Sequence, residues 1–168
     1  MRVGSVTEIK DNEFRAGLTP ADVQQYVAHG HDVLLQKGVG ICSGYADEAY
    51  QAQGAVMYDN AKDVWDQVDL MVKVKEPMGE ELNMMHEGQI IFTYFHMAAD
   101  RHLTEALLEK KVSAVAYETV RDKDGHLPLL SPMSQIAGRL SLFAGAHALQ
   151  KPYGGSGVLL SGVPGVRS

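Results

Sequence analysis

The stretch QIIFTYFHMAAD, residues 89–100, decides how the rest of the chain is read. Its run IIFTYF is β-branched and aromatic, has the length of a strand and is too short for a stable helix. It then closes on a histidine, His96, followed by Met97, two alanines and Asp100. A buried strand that ends on a titratable ring has two readings. His96 is either a core histidine satisfied by a hydrogen bond or a group held at a ligand-facing edge.

Working outward, short apolar runs recur on both sides. RVGSV (2–6), HDVLLQK (31–37), AVMY (55–58), DLMVKVK (69–75) and SAVAYE (113–118) all read as strands. Helical segments separate them. Thr19 before Pro20 is an N-cap followed by proline at the first helical position, Val23, Tyr26 and Val27 share one face, and Gly30 is a stop. A glycine-rich loop, GVGICSGYADEAY, leads into helix from residue 47 to about 53, and a further helix carries Val64 and Trp65. Residues from about 101 to 111 put Leu103, Ala106, Leu107 and Leu108 on an inner face with charges outside. Asp124-Gly125 reads as a hairpin-type turn, and residues 133–150 form a long helical pattern, small and apolar on one side. Strands alternating with helices imply an α/β fold, a mostly parallel sheet with flanking helices of flavodoxin-like or Rossmann-like type.

Composition narrows the function classes. The chain has 168 residues, enough for one domain and a fraction, and its 45% hydrophobic content is ample for a core. A net charge of -6 argues against nucleic acid and against a polybasic membrane surface, but not against a small anion that needs two or three local cations. A single cysteine, Cys42, excludes an intrachain disulfide and a cysteine zinc cluster, and reads as a small loop residue. The N-terminus has no signal-peptide core and no apolar run approaches the roughly 20 residues of a membrane span, so a cytoplasmic protein is expected.

Ligands in parallel α/β sheets bind beyond the carboxyl ends of the strands. His96 sits on that edge, as do Lys75 at the end of DLMVKVK and the loop bearing Arg15 after the first strand. Arginine offers a planar fork for a carboxylate, lysine a compact charge for a keto oxygen, and histidine a proton near neutral pH. Together they suit a 2-oxo acid. The competing reading is that Arg15 pairs with Glu13 or Glu8 and Lys75 with Glu76, and spacing alone leaves both open.

Other signals are weaker. GGSG at 154–157 lacks the Gly-Lys-Ser/Thr ending of a phosphate loop and reads as a turn. The seven histidines show no metal spacing, no metal ligand is expected, and His29 and His31 flank a turn glycine. Met84 and Met85 read as core filler. No G-x-G-x-x-G is present.

The run GSVTEIKDNEFRAGLTPADVQQYVAHGHDVL resembles the signature of the alanine dehydrogenase and pyridine-nucleotide transhydrogenase family, with Glu8, Asn12-Glu13, Arg15 and Thr19-Pro20 at the family's intervals. VKVKEP, FTYFHMAAD, AYETV, LPLLSPMSQIAGR and GVLLSGVPGV are similar to further blocks of its alanine dehydrogenase branch, in order, and the histidine of FTYFH favours that branch over the transhydrogenases. The resemblance implies that Arg15 binds the substrate carboxylate, Lys75 the keto oxygen, that His96 is the acid/base group and that Ser134 lies near the nicotinamide cofactor. It implies reversible oxidative deamination of L-alanine to pyruvate and ammonia with NAD.

Val6, Ala16-Gly17 and Gln135 depart from the family pattern and put local loop geometry in question. The resemblance also implies truncation before the dinucleotide-binding core. Residues 1–130 are expected to be the substrate domain, and 131–168 an interdomain helix and the start of the NAD-binding domain. NAD is then the cofactor of the full-length family, with none bound tightly by this chain alone. An exposed apolar face, including some of Leu140, Leu142 and Phe143, is expected on the long helix. The substrate-binding part of an L-alanine dehydrogenase, inactive alone, is the first functional reading. The alternatives are a non-enzymatic oxo-acid-binding or subunit-pairing remnant and the soluble domain of a transhydrogenase. The expected partners are L-alanine or pyruvate and either further copies of the chain or a missing second half.

Overall fold

The apolar runs become six parallel strands in a computed structural model that describes residues 1–166. They are β1 (Arg2–Ser5), β2 (Asp32–Gln36), β3 (Val56–Tyr58), β4 (Leu70–Lys75), β5 (Ile90–Tyr94) and β6 (Ser113–Ala116). Between and after them lie α1 (Pro20–Ala28), α2 (Asp47–Gln51), α3 (Ala61–Trp65), α4 (Glu81–Met84), α5 (Arg101–Glu109) and α6 (Ser131–Ala148). The sheet order is β3-β2-β1-β4-β5-β6, so the expected α/β class holds and the arrangement is the Rossmann one. The chain builds outward from β1 to β3, crosses back, and builds outward the other way from β4. The two halves part between the carboxyl ends of β1 and β4, which is where such sheets open a crevice.

Residues 1–118 form one compact unit and the chain from Thr119 onward a second. In the first, the central strands β2, β1 and β4 are buried on both faces. Val6, Leu34, Met71 and Ile91 pack with Val64, Trp65 and Val68 around α3 and with Leu103 and Leu107 of α5. Val3, Val33, Leu35 and Val72 pack on the opposite side with Val23 of α1 and Tyr50 of α2. Alternate residues thus enter opposite cores, which is why these strands read as unbroken apolar runs. Thr19 caps α1 as expected, in a reciprocal capping box with Asp22.

In the second unit, α6 begins at Ser131-Pro132, and Ile136, Leu140, Leu142 and Phe143 on it are 51%, 57%, 68% and 73% exposed. Asp124-Gly125 is a turn, with Gly125 at φ 85°, but not a hairpin. Asp122 accepts main-chain bonds from Asp124 and His126, and no strand flanks the turn among the described residues. The self-closing side chain of Asp122 makes a turn without needing paired strands. The GGSG segment is a turn, with Gly154 and Gly157 at φ 83° and 77°. Among the described residues no helix is long and apolar enough to cross a membrane.

Candidate functional site

The long connection from β1 to α1 carries Arg15 over the carboxyl edge of the sheet. It runs close: a Cβ on Gly17 would stand 2.5 Å from the Val72 carbonyl oxygen and 2.7 Å from the Ser5 hydroxyl. The lack of a Cβ at Gly17 therefore lets the loop lie against the ends of β1 and β4. Arg15 is half exposed, and its Nε and one terminal nitrogen grip Glu13 at 2.7 and 2.6 Å. Glu13 also takes the Arg15 main-chain N–H at 3.0 Å. The pairing that spacing left open is thus Arg15 with Glu13. The Arg15 hydrogen bond is the main reason that the Glu13 carboxyl is held below its ordinary value, and the charge of Lys75 adds to it. Arg15 is in turn raised, first by Glu13 and further by Tyr94 and Glu8.

Lys75 is the last residue of β4 and pairs in register with Tyr94 of β5. Glu76 is not its partner, being engaged by Lys10. Between Val72 and Lys75 the strand slips register, taking three steps where β5 takes two from Phe92 to Tyr94. That is a bulge, the device by which a strand re-aims a side chain.

His96 follows the buried Phe95 and sits at φ 51°, ψ 35°, a left-handed conformation uncommon for a residue with a Cβ. Glu118 holds it there. Its carboxylate accepts the Phe95 N–H at 3.2 Å and the His96 N–H at 2.8 Å. Burial pushes the Glu118 carboxyl up, but the main-chain donors of His96, Glu118 and Phe95 outweigh it and hold it below the ordinary value. The imidazole is exposed and lies nearly parallel to the Tyr94 ring, 6.4 Å away. Tyr94 meets Tyr117 edge-on at 4.9 Å, and the Tyr117 hydroxyl is driven well above its ordinary value, chiefly by burial.

Arg15, Lys75 and His96 therefore follow from three neighbouring strands, β1, β4 and β5, at the same edge. Tyr94, Glu13 and Glu8 lie among them by electrostatic reach or register. Ser134 is on the second unit, exposed on the first turn of α6, with its hydroxyl 3.4 Å from the Leu130 carbonyl. A hollow of 370 Å³ lined by Asp22, Gln25, Tyr26, His29 and His31 contains none of the four residues.

Sequence reasoning named Glu13 and Glu8 only as competing partners of Arg15 and gave no role to Glu8 at Lys75 or to Glu118. Each of the three candidates at the sheet edge has its main-chain N–H taken by a glutamate: Arg15 by Glu13, Lys75 by Glu8 and His96 by Glu118. A buried ammonium was also missed. Lys73 is fully buried, 2.8 Å from Glu81 and 3.2 Å from Glu8. The only sequence signal for it is a lysine inside an apolar strand.

The β1–α1 turn does not fit a dinucleotide. In place of a glycine-rich turn it is long and carries Glu8 and Glu13, and the Asp22 carboxylate of the capping box accepts the Thr19 N–H at 2.8 Å, at the helix end where a phosphate would sit.

The alanine dehydrogenase/PNT N-terminal domain family matches residues 4–137. Curated alanine dehydrogenases from Methanococcus maripaludis and Bilophila wadsworthia are 51% and 52% identical to the chain over 99% and 100% of its length. A solved L-alanine dehydrogenase superposes with a TM-score of 0.85 at 48% identity, over 99% of this chain and 46% of that one. The transhydrogenase of Sinorhizobium meliloti shares the fold, with a TM-score of 0.66 at 21% identity over 70% of this chain and 34% of that one. The chain spans 44% of the length of the two curated relatives. It belongs to the alanine dehydrogenase/PNT family and corresponds to that family's N-terminal domain.

Proposed function

We propose that this chain supplies the 2-oxo-acid recognition part of an NAD-dependent L-alanine dehydrogenase acting in the cytoplasm. The observation that carries the reading is the convergence of Arg15, Lys75 and His96 on one edge of the sheet, beside the crevice between β1 and β4. Arg15 binds the substrate carboxylate, its fork oriented by Glu13. Lys75 donates to the keto oxygen, where its positive charge stabilises electron density drawn from the carbonyl. His96 moves the proton that joins or leaves the amine or oxygen at that carbon, a task suited to an imidazole near neutral pH. NAD supplies hydride chemistry in the longer protein, with Ser134 near its nicotinamide. The chain works in association with the remainder of that protein or with further copies of itself.

Titration calorimetry of the chain with pyruvate tests this. Saturable binding is expected, weakened about tenfold or more in Arg15→Ala, in line with the loss of charge-assisted hydrogen bonds. Unchanged affinity in that variant refutes the assignment of Arg15.

A further inference from the structure

Glu8 touches three consecutive residues of β4. Its Oε1 accepts the Val74 N–H at 2.6 Å, and its Oε2 accepts the Lys75 N–H at 3.3 Å and lies 3.2 Å from the Lys73 ammonium. The Glu8 side chain is 2% exposed. These three residues are the bulge itself, where the ladder to β5 slips between Val72 and Lys75. A bulge leaves strand donors without their ladder acceptor, and here a carboxylate takes them. Lys73 then ties Glu8 to Glu81, which accepts the Met78 N–H at 3.2 Å, so loop, bulge and the start of α4 are one charged chain.

We propose that Glu8 is a positioning residue that acts through Lys75, holding the β4 bulge in the geometry that aims the Lys75 ammonium at the substrate. The inference rests on the reading of Lys75 as the keto-oxygen donor. The chemistry requires a carboxylate. All three groups facing Glu8 are donors, and a glutamine would offer one acceptor oxygen and a second donor set against them.

A double-mutant cycle on pyruvate affinity, read by ligand-observed NMR on the whole chain, tests it. Glu8→Gln is expected to weaken binding about tenfold in the wild-type background and to add nothing in Lys75→Ala. Amide exchange at Val74 and Lys75 should accelerate while Met71 and Val72 stay protected. The same loss in both backgrounds means a general structural role and overturns the inference, as does full affinity in Glu8→Gln when Lys75→Ala is weak. Absent binding by the wild type, or full affinity in Lys75→Ala, overturns the reading of the site and this inference with it. If Glu8→Gln does not fold, Glu8→Asp, which keeps the charge and shortens the reach, carries the same cycle with a smaller loss.

Discussion

Replacing Lys73 with methionine should be among the most destabilising single changes in the first unit. Methionine is unbranched and of similar length, so the cavity is small and the perturbation is the loss of one buried charge. What remains is a pair of carboxylates, Glu8 and Glu81, with side chains 2% and 5% exposed and no ammonium between them. Removing one partner of a buried ion pair costs about 3–5 kcal/mol. Against a total stability of about 5–15 kcal/mol, that is a large fraction. Chemical denaturation followed by circular dichroism, wild type beside Lys73→Met, gives the number directly.

The pH dependence checks the cause. Burial raises the Glu81 carboxyl above its ordinary value, against the opposing pull of Lys73. An acid raised in the folded state binds its proton more tightly there than when unfolded, so stability falls as pH rises from the ordinary value through the folded one. Without Lys73 the opposing pull is gone and the Glu81 carboxyl moves further up. The deficit of Lys73→Met should be complete above the folded value of Glu81 and should shrink as pH falls toward the ordinary glutamate range. A neutral-pH deficit under about 1 kcal/mol, far below the range for a broken buried pair, or one that grows on acidification, refutes the picture of a charged triad.

Two further outcomes follow from the other carboxylates and the cap. Glu118→Gln should cost about 1–2 kcal/mol through weakened bonds to Phe95 and His96 and should speed amide exchange at His96. Because the Glu118 carboxyl lies below its ordinary value, its contribution is present above the unfolded value and lost as pH falls through the folded one, so the variant should also lack that part of the acid limb of stability. Thr19→Ala removes the hydroxyl that bonds the Asp22 N–H and the Asp22 carboxylate, and a thermal melt should report a loss of about 0.5–2 kcal/mol.

The fold was legible because a parallel sheet covered on both faces leaves a simple trace: short apolar runs separated by helical periods. IIFTYF, DLMVKVK and HDVLLQK fall in β5, β4 and β2 with ends shifted by a residue or two. What escaped were the elements that tertiary contacts create. The one-turn helix α4 has no side-chain cap and no apolar stripe; Glu81 at its start is buried because Lys73 meets it. Met85 just beyond it, read as core filler, is 2% exposed and lies in the core. Asp124-Gly125 carried a hairpin's turn chemistry without the strands that a hairpin needs.

The site divides the same way. Arg15, Lys75 and His96 could be singled out because strand ends are readable, and in parallel sheets strand ends are where ligands go. Glu13, two residues from Arg15, could be named as its partner, but Glu8 at Lys75 and Glu118 at His96 could not, since they reach across 67 and 22 residues. Main-chain amides leave no mark in a sequence. The run MVKVK shows the limit most clearly. An unbroken period of two puts Lys73 and Lys75 on the same face and treats them as equivalent. The bulge breaks the period between them, leaving Lys73 fully buried among carboxylates and Lys75 part-exposed at the edge where β1, β4 and β5 end. One lysine is enclosed by carboxylates and the other stands part-exposed at the end of its strand. The carboxylate of Glu8, which contacts the ammonium of the first and the main chain of the second, is where that difference is made.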